Sequence, residues 1–168
     1  HGFMLDTYDD GEGGVLLCHG ACGILGERPL ADALHDLDEH MRCHPTDVLT
    51  IIFEPHVGEA EMVRAFEDAG MLDVLHVQPR DAPWPTLREM IESGRRLVVF
   101  TETSDVSVPW YHHAYTYAWD NDYAAMTAAD FDCEANRGDP SNAVFVLNHF
   151  LTAPLASRSL AQMVNHDP

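Results

Sequence analysis

Two hydrophobic rhythms alternate along this chain. Short, nearly continuous apolar runs of strand length occur as GFML at 2–5, VLTIIF at 48–53, LVVF at 97–100 and AVFVL at 143–147. Between them lie stretches whose apolar residues return every three or four positions. Strands that are apolar on both faces, with helices between them, predict a parallel sheet covered on both sides. Segment 29–43 places Leu30, Leu34, Leu37 and Met41 at helical spacing and ends at His44-Pro45. Segment 59–69 carries Met62, Val63 and Phe66 on one side and stops at Gly70. Thr86-Leu87-Arg88-Glu89 has the form of a capping box and predicts a helix to Gly94, with Leu87, Met90 and Ile91 as its apolar stripe. A further strand is predicted over 72–78 and a final helix over 154–164.

The stretch from Gly2 to Gly20 organises the rest. A strand over 2–8 puts Met4, Asp6 and Tyr8 on one face and Phe3, Leu5 and Thr7 on the other. A loop of Asp9, Asp10, Gly11, Glu12, Gly13 and Gly14 then leads into a second extended run, 15–18, that ends in His19-Gly20. Asp6 thus closes an apolar strand, and the loop returns His19 toward it. A carboxylate and an imidazole beside a glycine-rich turn can hold a metal, move a proton, or do both.

The other runs end similarly: VLTIIF in Glu54, LVVF in Thr101-Glu102, AVFVL in Asn148-His149. In parallel α/β folds the carboxyl ends of the strands build the site, so Asp6, His19, Glu54, Glu102 and Asn148 are candidates, with His149 pointing away from Asn148. Between 103 and 141 the periodicity dissolves, although the stretch holds Trp110, Tyr111, His112, His113, Tyr115, Tyr117 and Trp119. So long an irregular segment is functional or hides irregular helices. His112 and His113 are read as surface histidines of an aromatic loop. Arg137, in NRG, either clamps a phosphate or caps a turn. His35, His40, His44, His56 and His76 are read as structural or solvated.

Composition narrows the function classes. The chain has 168 residues, 46% of them hydrophobic, which suits one domain with a real core. A formal charge of −19, from 28 acidic residues against nine arginines and no lysine, excludes nucleic acid and anionic membranes as partners held by bulk charge. No apolar run is long enough for a transmembrane segment. The opening lacks the basic and apolar regions of a signal peptide and runs directly into a strand, so the beginning of the domain is expected to be missing. Cys18, Cys22, Cys43 and Cys133 allow three full pairings; Cys18 and Cys22 flank His19 without zinc spacing, and a disulfide in an extracellular or secreted protein is the favoured reading. No pattern along the chain specifies an oligomeric state.

The run GFMLDTYDD, then LCHGAC, IIFE, WPTLREMI, RRLVVFTE, NRG and VLNHF, resembles the phosphatidylinositol-specific phospholipase C X-domain-like phosphodiesterases, in the family's order over nearly the whole chain. The resemblance implies an α/β fold, a distorted TIM-type (β/α) barrel, here a single incomplete domain over 1–168 without the family's first and last strands. It implies that His19 is the second active-site histidine, which supports the pentavalent phosphorus transition state. Asp6 falls where calcium-dependent members carry a metal-binding aspartate and metal-independent ones an arginine, and Glu54 matches a further acidic metal ligand. The implied cofactor is a divalent cation, Ca2+ in preference to Mg2+, supplying positive charge where the phosphate develops negative charge. The family's general-base histidine lies in a His-Asn motif on the strand before Gly2; His1 stands at the place of the arginine preceding that glycine, and Met4 replaces a second acidic ligand. The implied function is metal-assisted hydrolysis of a phospholipid or related glycerophospho- or inositol phosphodiester, impaired in this chain for want of the first histidine. Glu102, Asn148 and Arg137 are candidate substrate contacts. The alternative is a non-catalytic barrel acting as a binding or interaction domain.

Overall fold

The computed structural model describes residues 2–20, 22–24, 26–152 and 157–165, which fall into two compact units, 1–114 and 115–168. In the first unit the elements run β1 (Gly2–Asp9), β2 (Val15–Leu17), β3 (Arg28–Pro29), α1 (Leu30–Cys43), β4 (Leu49–Pro55), α2 (Glu59–Asp68), α3 (Leu87–Ser93), β5 (Leu97–Thr101) and β6 (Tyr111–His113). Their strands make one six-stranded sheet in the order β3-β2-β1-β4-β5-β6. β1, β4, β5 and β6 are mutually parallel, whereas at one end β2 runs antiparallel to β1 and β3 antiparallel to β2.

The helices form where the apolar period predicts them. Leu30, Leu34 and Met41 of α1 and Met62 and Phe66 of α2 are buried against Ile51, Phe53, Leu97, Val99 and Tyr111, all on one face of the sheet. α1 stops because Pro45 disfavours helical geometry at His44 (φ −124°, ψ 74°). The buried Arg96 guanidinium ties down this end, donating to Met41 O in the last turn (3.0 Å), His44 O at the cap (3.2 Å) and Asp47 O beyond it (2.7 Å). α3 starts in the predicted capping box, with Thr86 N–H donating to Glu89 Oε2 at 2.7 Å, and ends on Gly94 at φ +75°, a left-handed turn that glycine adopts without strain. Its stripe is narrower than the sequence suggests. Met90 is buried but Leu87 is 65% exposed.

The sheet's other face is partly aromatic. Val98 and Phe100 are buried there, and Phe100 touches Trp84 and His112 at ring centroid distances of 6.1 and 5.8 Å. The strand expected over 72–78 does not form. Leu72–Val74 is a 3-10 turn and Leu75 makes a single bridge to Leu97. Two polar side chains, Asp73 and His76, interrupt the apolar run, and Pro79 ends it.

The second unit contains β7 (Ala118–Asp120), β8 (Arg137–Gly138), β9 (Val144–Val146) and α5 (Arg158–Asn165), following the short helix α4 (Ala114–Tyr117). Its three strands form a separate sheet in the order β8-β7-β9. β9 lies within the predicted 143–147 but is not buried: Phe145 is 41% exposed and stacks on Trp119 at 4.1 Å. α5 begins later than predicted, and residues 154–156 of the expected helix lie outside the described residues, as does His1. The α/β expectation holds as a mixed architecture of sheets and helices, but the described residues form two open sheets, not a closed barrel.

Candidate functional site

The geometry at the end of β1 follows from its loop. Asp9 Oδ1 accepts from Gly11 N–H at 2.7 Å, and Asp10 Oδ1 accepts from Glu12 and Gly14 N–H at 2.7 and 2.8 Å. These donors, Glu12 foremost, hold the Asp10 carboxyl below the usual carboxylate range. Gly11 and Gly13, at φ +80° and +92°, take conformations open to glycine, and the chain reverses into β2. β2 pairs Leu17 with Thr7, so Cys18 comes level with Asp6, where its N–H donates to Asp6 O at 3.4 Å. His19 then places Nδ1 at 2.8 Å from Asp6 Oδ2. An ionised carboxylate only accepts, so Nδ1 carries the proton and Nε2 is the free ring atom. The His19 side chain is 90% exposed and that of Asp6 15% exposed. The pairing expected from the sequence is therefore present, with an accessible imidazole held by a partly buried carboxylate.

Parallel register extends this end into a row. Asp6 of β1 stands opposite Glu54 of β4, so the two carboxylates rise from the same face of adjacent strands. Glu102 follows β5 and donates its N–H to Phe53 O at 3.0 Å, next along the same edge. One further step out, Tyr8 and His56 stack with centroids 4.3 Å apart, and His56 Nε2 lies 3.8 Å from Glu54 Oε1. His56 was read as structural or solvated from the sequence. His56 immediately follows β4, and its N–H donates to Thr7 O at 2.8 Å, which holds it beside β1.

Among the described residues no group of three His, Cys, Asp or Glu side chains converges as a metal-binding set. Asp6 and Glu54 stand in register on adjacent strands, with Asp6 bonded to His19 and Glu54 beside His56.

His112 is not a surface histidine: it is buried on β6, its Nδ1 bonds Val99 O at 3.0 Å, and its Nε2 accepts from Gln78 N–H at 3.0 Å. Burial first, and the nearby His76 in the same direction, hold its pKa down against the opposing Val99 bond. His113 is lowered by burial as well. Arg137 and Asn148 belong to the second unit. The Arg137 Nε and Nη2 donate to Asp120 Oδ2 at 3.0 and 2.6 Å, and the guanidinium lies 4.5 and 4.6 Å from the Tyr115 and Tyr123 ring centres. Asn148 Nδ2 donates to Asn121 O at 2.7 Å and Asp120 Oδ2 at 3.2 Å. Arg137 neutralises a fully buried carboxylate, and Asn148 completes the same network. His149 stacks on Phe131 at 4.6 Å.

A model of the PI-PLC X family matches residues 3–167. The chain belongs to the PI-PLC X family. It is 26% identical over 158 residues to an uncharacterised secreted protein of Arthroderma benhamiae, covering 86% of this chain and 36% of that protein. It is 24% identical over 158 residues to PI-PLC X domain-containing protein 1 of the same organism, covering 86% and 51%. A PI-PLC X domain-containing protein of Arabidopsis thaliana is 25% identical over 185 residues, covering 97% and 43%. The chain thus spans roughly a third to a half of the length of these relatives. No solved structure matches it. The sequence resemblance to this family is borne out. The Cys18–Cys22 disulfide, with Cys43 and Cys133 free, and a relative named as secreted agree with an oxidising compartment. Among the described residues no helix is long and apolar enough to cross a membrane.

Proposed function

We propose that this chain is the phosphodiester-cleaving region of a secreted PI-PLC X hydrolase acting on a phospholipid or related glycerophospho- or inositol phosphodiester. The observation that carries the proposal is the 2.8 Å Asp6–His19 pair at the carboxyl end of a parallel sheet. Asp6 selects the His19 tautomer and aims Nε2 outward, and the protonated ring can then donate to a phosphate oxygen or a departing alkoxide. The high exposure of His19 leaves that atom open to a substrate as large as a lipid headgroup. Asp6 and Glu54 would hold a divalent cation, with Ca2+ preferred because it tolerates irregular coordination that Mg2+ does not. Such a cation supplies charge for the developing negative oxygens. Glu102, next on the same edge, is retained as a substrate contact, whereas Arg137 and Asn148 are occupied in their own network. A TIM-type barrel is the proposed architecture of the whole domain.

The test is hydrolysis of a chromogenic phosphodiester by the parent protein in Ca2+, Mg2+ or chelator, beside His19→Ala. General acid catalysis predicts a loss of about 10²- to 10⁴-fold in kcat for the variant, with little change in stability because the side chain is exposed. Equal rates would remove His19 from the mechanism. No turnover with either cation, combined with saturable headgroup binding, would make the domain a binding module.

A further inference from the structure

His19 lies inside the small loop that the Cys18–Cys22 disulfide closes, with Cα atoms 5.3 Å apart. Packing does not hold an imidazole that is 90% exposed, and a hydrogen bond at such exposure is weak alone. Cys18 N–H donates to Asp6 O, which anchors the start of the ring to β1, and Gly20 (φ +68°) inside the ring turns the chain. A glycine in the left-handed conformation inside the ring gives the unfolded loop many alternatives. The disulfide removes them by tying Cys22 back to the residue that is already anchored.

Resting on the function proposed above, we infer that the Cys18–Cys22 disulfide is a positioning element that keeps His19 on Asp6, so that the pair is assembled in the oxidised protein and released by reduction. The redox step is ordinary thiol–disulfide exchange. A dithiol gives up two electrons and two protons, Cys18 and Cys22 become thiols, and the reductant becomes a disulfide. No atom of Asp6 or His19 changes. The site of a secreted hydrolase would then work only after it reaches an oxidising compartment.

The test uses the protein with the exposed Cys43 and Cys133 changed to serine, so that only this pair responds to dithiothreitol. Histidine-labelled NMR reads the His19 tautomer, mass spectrometry reads the two added hydrogens, far-UV circular dichroism reads the fold, and kcat and KM are measured in parallel. Reduction, and independently the Cys18→Ser/Cys22→Ser variant, is expected to replace the single Nδ1–H pattern by a tautomer mixture and to lower kcat by about tenfold or more, which on the usual scale is about 1.4 kcal/mol. Reoxidation should restore the first protein and not the second. An unchanged tautomer after complete reduction overturns the inference. So does loss of the far-UV signal, which would assign the bond to global stability. Because the NMR readout needs no turnover, it decides the positioning role even if the hydrolase reading itself fails.

Discussion

Replacing Asp6 by asparagine separates two roles that one carboxylate can play. The substitution keeps the shape at a position only 15% exposed and removes the charge that faces His19 Nδ1 at 2.8 Å. An amide oxygen still accepts a hydrogen bond, but a neutral one is roughly half as strong. Exposed charge pairs contribute about 0.2–1 kcal/mol, and the upper figure corresponds to about fivefold in the occupancy of the held rotamer. On the proposed function, the same charge would also steady the imidazolium during proton transfer. The buried aspartate of a serine-protease triad is worth about 10⁴ in kcat, and a pair with one fully solvated partner should fall well short of that. The expectation is a drop of about 10- to 100-fold in kcat on a chromogenic phosphodiester, with unfolding free energy within about 1 kcal/mol of the parent. Measured across a Ca2+ titration, the loss should persist at saturation, since the His19 contact does not depend on cation occupancy. Full rescue by Ca2+ would show that Asp6 acts as a ligand alone, and rates within twofold of the parent throughout would refute the Asp6–His19 argument altogether.

Two further predictions concern the scaffold that carries the row of strand ends. Arg96→Met removes three charge-assisted bonds to Met41, His44 and Asp47 carbonyls and leaves the end of α1 unpaired, which should cost about 2–4 kcal/mol in urea unfolding; a loss under about 0.5 kcal/mol would mean that water replaces the guanidinium. His112 is held neutral by burial, so its folded pKa lies below its unfolded value near 6.5; the unfolded chain protonates first as pH falls, and stability should decline from about pH 6.5 downward. His112→Gln should flatten that acid slope in melting experiments, although it lowers stability at neutral pH, and an unchanged slope would locate the effect elsewhere.

What was legible in the sequence was governed by period. Leu30, Leu34 and Met41, or Met62 and Phe66, announce a buried helical face because the spacing admits one solution. That Asp6 and Glu54 come near the ends of adjacent parallel strands was legible because each follows an apolar run. Short elements escaped for the converse reason. Tyr111–His113 is three residues long, too short to show alternation, so His112 was assigned to the surface although it pairs with Phe100 inside a sheet. Val144–Val146 was apolar enough to suggest a core strand, yet only β7 flanks it in a three-stranded sheet. Apolar content reports what a strand is able to bury; the number of layers that cover it is a property of tertiary structure.

The disulfide and the Asp6–His19 pair show why a site is less legible than its parts. Thirteen residues separate Asp6 from His19, and what joins them is the register Thr7 to Leu17, fixed by where an aspartate- and glycine-rich loop reverses. A slip of one residue would turn His19 to the opposite face and leave Cys18 in its place. The loop carboxylates Asp9 and Asp10, which touch no candidate ligand and would pass for solvated charge, are thereby connected to the chemistry: by accepting Gly11, Glu12 and Gly14 N–H they set the reversal that delivers the imidazole. The acidic residues of this loop act on the site through backbone register, and their own charge need never meet the substrate.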